Sequence, residues 1–349
     1  MTLAGSGVSA QSIDRFPAAQ RERAAAEART SLELLTNWFG PSALQQPALD
    51  EVPVRWLAFE RDRSLERAVI ASVARQYWSQ SLGRGPLSPF AEAILVYTAT
   101  RAIHERLEGS NFAVVRFFGG LVPFPLRSVL LSPPVADPRP RALRLDELPA
   151  SPDVLRMVRG LQTIERYVGW PTMAQTLAAV RATPDSRLDA AAFANTLSIV
   201  RGTDVRGLIM ECFRPDVVFD YAIADVRSSM PGQTPVETSV MVVRRGSGAF
   251  EVGTSADPEQ TLPLLLQFAD GSEARGWFDG SAKSTTLVYT TNARVVSAAI
   301  DPEMMLLLDA DRANNTFTTA MSFRPLGVRL ALHWMSWLQQ MMLTYSALV

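Results

Sequence analysis

Apolar residues recur at helical spacing through the first two thirds of the chain, and after Pro215 the period drops to two. Leu65, Val69, Ile70, Val73 and Tyr77 follow the i, i+3, i+4 rule and predict a buried helix face over residues 67–78. Residues 17–39 are rich in Ala, Arg and Glu and end in the apolar set Leu32, Leu35, Trp38 and Phe39, with Gly40-Pro41 as the stop. Ser88-Pro89 and Ser151-Pro152 each supply a cap and a first-turn proline for the helix that follows. The second of these runs through Val154, Leu155, Val158 and Leu161 to a close at Tyr167-Val168-Gly169. Amphipathic stretches at 172–180, 188–200 and 204–213 complete a helical region.

Beyond it Phe219, Tyr221 and Ile223 alternate, and short strands are predicted at 240–244, 264–268, 285–289 and 295–299. Turn signals at Asp270-Gly271 and Asp279-Gly280 separate them, which is the texture of a β-sandwich. Residues 52–59 add one candidate strand in the front half. The stretch 109–131, with Phe112, Phe117, Phe118 and Phe124 broken by Gly119-Gly120, is apolar enough for a core or a docking surface. Residues 132–150 are rich in Pro and Arg and form a connector. At the end, Leu330, Trp334, Trp337, Met341, Tyr345 and Leu348 share one helical stripe, with His333 off it. Three readings stand open for this tail: packing on the protein's own surface, lying in a membrane interface or a partner's groove, and spanning a bilayer.

Composition narrows the chemistry. With 349 residues, 47% of them hydrophobic and 20% charged, the chain can bury a sizeable core and has room for two domains. A formal net charge of -1 gives no electrostatic reason to expect nucleic acid. One cysteine, Cys212, excludes an internal disulfide framework. No basic segment followed by an apolar run opens the chain, so no secretory signal is expected, and a cytoplasmic or peripheral-membrane location is. There are only two histidines, His104 and His333. Asp309, Asp311 and Asn315 cluster either as a cation site or as turns held by their own side chains, and the turn reading is favoured.

The run Val69-Ile-Ala71-Ser72-Val-Ala-Arg75-Gln76-Tyr77-Trp78, followed by Pro89-Phe-Ala-Glu92-Ala-Ile-Leu-Val-Tyr97, resembles the two metal-holding helices of zinc aminopeptidases of the aminopeptidase N type, the gluzincins. That family reads Val-Ala-His-Glu-x-x-His-Gln-Trp-Trp and then Trp-Leu-x-Glu-Gly-x-Ala-x-Tyr. The match places Ala71 and Arg75 at the histidine ligands, Ser72 at the catalytic Glu and Glu92 at the third ligand. Residues 31–40 resemble the helix that precedes the family's site, Val154 falls at its oxyanion-stabilising Tyr, and the Gly-x-Met-Glu-Asn strand is missing. Ile300-Asp301-Pro302, Leu306-Leu-Leu-Asp309 and Asn314-Asn315 resemble the close of the family's immunoglobulin-like domain.

The resemblance implies an α+β chain: a tail at 1–16 expected to be flexible, a peptidase-like helical domain at 17–215, an immunoglobulin-like sandwich at 216–323 and an amphipathic helix at 324–349. It also implies lost catalysis, because a catalytic zinc typically takes three protein ligands and a water. The expectation is a catalytically inactive subunit with no metal or cofactor, held to protein partners of a membrane-associated complex. Its contact candidates are Trp334, Trp337, Met341, Tyr345, Phe117 and Phe118. The alternative is a hydrolase or peptide-binding protein that uses the residual cleft, with Glu92, His104 and Glu105 as its polar groups.

Overall fold

Helical spacing in the sequence becomes helices in a computed structural model that describes residues 8–11, 17–49, 52–55, 64–82, 87–108, 151–183, 189–229, 235–250 and 262–319. Seven α-helices occur among them: α1 (Ala18–Phe39), α2 (Ser64–Leu82), α3 (Pro89–Ile103), α4 (Pro152–Val168), α5 (Trp170–Ala182), α6 (Ala190–Arg201) and α7 (Arg206–Phe213). The caps do what the sequence requires of them. The Ser88 hydroxyl accepts from Ala91 N–H at 3.1 Å, Ser151 from Val154 N–H at 3.3 Å and the Asp189 carboxylate from Ala192 N–H at 2.8 Å. Gly40, Gly169 and Gly202 close α1, α4 and α6 with positive φ, which only glycine adopts without strain.

Packing explains the order. Helices α1, α2, α3 and α4 lie side by side in sequence order, α5 turns back onto α1, and α7 sits on α4. Gly160 is where α4 meets α7, since a Cβ there would come within 3.1 Å of the Phe213 ring and the Cys212 carbonyl. Helix α3 is buried on nearly every side, from Phe90 to Ile103, as the central rod of the helical region.

The second region holds strands β3 (Tyr221–Ser228), β4 (Val236–Arg244), β5 (Leu262–Phe268), β6 (Glu273–Phe278), β7 (Ser284–Thr291), β8 (Val295–Ile300) and β9 (Thr316–Thr318). They form two antiparallel sheets, ordered β3-β4-β7 and β6-β5-β8-β9. The inward residues Val240 and Val242 face Leu264, Leu266, Phe278 and Ala298 in one continuous core that also runs through the helices. Strands β6 and β9 go beyond the periodicity in the sequence, because β6 alternates charge and glycine and β9 has three residues.

Residues 8–11, assigned by sequence to a flexible tail, instead form strand β1 (Val8–Gln11), paired antiparallel with β2 (Val52–Arg55). A short Val-Pro-Val segment cannot stand alone, and Pro53 opposite Ala10 fits an edge position. No helix among the described residues is long and apolar enough to cross a membrane. Phe117, Phe118, His333, Trp334, Trp337, Met341 and Tyr345 lie outside the described residues.

Contacts join the two regions along α4. The Arg166 guanidinium donates to the Met304 carbonyl at 2.6 Å, and Leu307 N–H donates to the Thr163 hydroxyl at 3.1 Å. Tyr167 meets Phe250 edge to face at 5.7 Å, and Ala249 N–H donates to the Glu211 carboxylate at 2.8 Å.

Candidate functional site

The candidate site lies on α2 and α3, which carry Ala71, Ser72, Arg75 and Glu92. Ala71 is half-buried against the core, and Ser72, one residue on, is half-buried too. The Ser72 hydroxyl accepts from the Gln76 amide at 3.1 Å, one turn along the helix. Gln76 then grips the backbone of Ala48, donating to its carbonyl at 2.7 Å and accepting its N–H at 2.8 Å. This amide pair is a two-bond clamp, equivalent to one rung of a β-ladder, which fixes the chain after α1 onto α2. Arg75 points to solvent. Glu92 occupies the first turn of α3, half-buried, and its carboxylate makes no hydrogen bond or ion pair among the described residues. A carboxylate in a first turn interacts favourably with the helix dipole.

Val154 is fully buried at the start of α4, so its side chain is core. Helix α3 runs unbroken from Pro89 to Ile103 and widens into a π-helical turn at His104–Glu108. At about 1.5 Å rise per residue, Glu92 and His104 are roughly 18 Å apart. They do not converge with each other. Glu105, on the same turn as His104, lies 3.9 Å from Arg101.

A group that the sequence reading did not assemble lies deeper. The Tyr97 hydroxyl donates to the Glu165 carboxylate at 2.5 Å, and the Arg101 guanidinium approaches the other oxygen at 3.6 Å. Arg101 also stacks 4.5 Å over the Trp170 ring. Burial, and then the Glu165 charge, push the Tyr97 phenol well above its ordinary range, so Tyr97 stays a proton donor. One Glu165 oxygen accepts from Tyr97, and the other faces the Arg101 charge at 3.6 Å, beyond hydrogen-bond range. The arrangement ties α3 to α4 through a buried ion pair.

Nearby, the Tyr77 hydroxyl donates to the Gly40 carbonyl at 2.6 Å. Arg181 stacks 4.3 Å over Tyr77 while donating to the carbonyls of Phe39 and Pro41. Trp38 packs edge to face on Trp170 at 4.8 Å, and Phe39 lies tilted against Trp78 at 5.4 Å. The side chains around Ala71 and Ser72 are therefore committed to fixing the α1–α2 connection.

Comparison with known proteins adds no assignment. No family model and no curated protein sequence matches the chain.

The remaining candidates are equally occupied. Asp309 accepts from Asp311 N–H at 3.1 Å and from the Asn315 amide at 3.1 Å, and Asp311 accepts from Ala313 N–H at 3.1 Å. These are side-chain turns. No group of three or more potential metal-binding side chains occurs among the described residues. Cys212 is buried, and burial pushes its thiol up to about 12, which removes it as a nucleophile.

Proposed function

We propose that this protein is a catalytically inactive relative of the aminopeptidase N-type peptidases, working as a structural or interaction subunit of a membrane-associated assembly. The observation that carries the reading is the fate of the ligand positions. Where the family has imidazoles and a catalytic carboxylate, this chain has Ala71, Arg75 and Ser72, with Ser72 tied into the Gln76–Ala48 clamp. Two histidines in 349 residues cannot rebuild that set elsewhere on α2, because neither lies on that helix. The paired sheets after residue 215 support an immunoglobulin-like second domain, as does the Ile300–Asn315 match. The aromatic stripe of the last residues supports a membrane-proximal setting.

The test measures zinc content and hydrolysis of aminoacyl and peptide substrates, followed by mass spectrometry of what co-purifies from native membranes. Substoichiometric zinc, no turnover and a reproducible protein partner are expected. Stoichiometric zinc, robust turnover or recovery without any partner overturns the reading. The double substitution Ala71→His, Arg75→His probes the scaffold separately. If α2 and α3 descend from a metal site, it gains zinc affinity that a further Glu92→Ala change weakens.

A further inference from the structure

An exposed sheet edge is a row of unpaired backbone groups, and proteins blunt such edges with charge, proline, bulges, short strands or covering loops. The two sheets have four edges, and three carry such devices. Strand β3 shifts register between Ile223 and Asp225, bears the Asp225–Arg227 ion pair and is covered at its start, where Ala310 N–H donates to the Phe219 carbonyl at 2.8 Å. Strand β6 carries Glu273 and Arg275, and β9 is three residues long. Among the described residues the fourth edge, β7, has none of them. Its sequence Ser-Thr-Thr-Leu-Val-Tyr-Thr-Thr holds no charge, proline or glycine, and its eight pairs with β4 run without a register shift.

The ladder fixes which groups are open. Arg244 N–H donates to the Lys283 carbonyl at 2.8 Å, so that pair is of the hydrogen-bonded kind. Alternation then turns Thr285, Leu287, Tyr289 and Thr291 toward β4 and leaves the N–H and C=O of Ser284, Thr286, Val288 and Thr290 facing outward. No strand pairs with that side among the described residues. Val288 is 58% exposed, and Met241, opposite Thr286 on β4, is 38% exposed.

We propose that β7 is a homodimer strand: two copies pair their β7 edges antiparallel about a two-fold axis at Val288, making one six-stranded sheet. Val288 opposes its own copy, Thr286 opposes Thr290, and Leu287 opposes Tyr289, so every opposed pair lies on one face. Val288 with its copy and Thr286 with Thr290 are β-branched pairs, and Leu287 with Tyr289 sets an aliphatic side chain against an aromatic ring. The cations flanking the strand meet neutral residues, Lys283 opposite Ala293 and Arg294 opposite Ala282. A second copy is the occupant because the strand complements itself, in pattern and in lack of charge, at this register. The inference stands independently of what the helical region does.

Sedimentation velocity of the full chain over a concentration series, paired with amide hydrogen exchange, tests it. A reversible dimer is expected, with the Thr286, Val288 and Thr290 amides protected only at high concentration and those of Leu287 and Tyr289 protected throughout. Val288→Lys and Val288→Glu each weaken the dimer at least tenfold with unchanged melting, and an equimolar mixture of the two restores it. Thr286→Pro removes an outward N–H that β4 does not use, so it also yields monomer with the fold retained. A wild-type monomer at high concentration, a dimer indifferent to these changes, or Val288 protection independent of concentration overturns the proposal.

Discussion

The helical and sheet regions satisfy their buried polar groups in opposite ways. In the helices the decisive partners are far apart in sequence: Tyr97 with Glu165, Gln76 with Ala48, Arg181 with the Phe39 and Pro41 carbonyls. In the sheets several acidic side chains serve their own turns. Asp301 accepts from Met305 N–H at 2.7 Å and Leu306 N–H at 2.9 Å, and Asp270 and Asp279 accept from Ser272 and Ser281 two residues on. Long-range pairs tie elements together and local pairs shape loops, so breaking the two kinds has different consequences.

The largest effect is expected where charges are buried across helices. Glu165→Ala leaves Arg101 with only the more exposed Glu105 at 3.9 Å and Tyr97 without its acceptor, and removing one partner of a buried ion pair costs about 3 kcal/mol or more. Urea denaturation should show that loss, and Tyr97→Phe a smaller one. In a double-mutant cycle the two changes should be strongly non-additive. A loss under about 1 kcal/mol for Glu165→Ala would mean that solvent reaches the pair.

An intermediate effect belongs to the sheet region and depends on pH. Burial pushes the Asp301 carboxyl up to about 6, against the lowering pull of its two backbone donors. The folded state therefore holds this proton more tightly than the unfolded chain. Stability from this group is complete below the ordinary Asp range near pH 4 and is lost as pH rises through about 6, a decline of up to about 3 kcal/mol. Asp301→Asn should flatten that slope in melts taken from pH 4 to 7. A slope of the opposite sign would show that the two donors outweigh burial.

The same contrast explains what could be read from the chain alone. Caps at Ser88 and Ser151, the stops at Gly40 and Gly169 and the turns at Asp270 and Asp279 act within five residues, and each was legible as a local signal. Strands β4, β5, β7 and β8 were legible from their alternation, whereas β6, with Glu273 and Gly276 interrupting, was not. Gly276 makes sense only in three dimensions, since a Cβ there would lie 1.9 Å from the Tyr289 hydroxyl of β7. Glu165 gave no sign of its role, because its partners sit on another helix and no spacing rule connects them. Residues 8–11 failed for a related reason: a four-residue strand is defined by its partner at 52–55 rather than by its own pattern.

The smallest effects separate two neighbours on α2. Gln76→Ala removes both bonds to Ala48 and should cost about 1 kcal/mol, with faster exchange of the Ala48 amide. Arg75→Ala, one residue away on the exposed face, should change stability by no more than about 0.5 kcal/mol. The pair tests whether this stretch of α2 holds the α1–α2 connection through Gln76. If Arg75→Ala costs as much as Gln76→Ala, α2 is gripped on its outer side as well, and the clamp at Ala48 is only part of what fixes it.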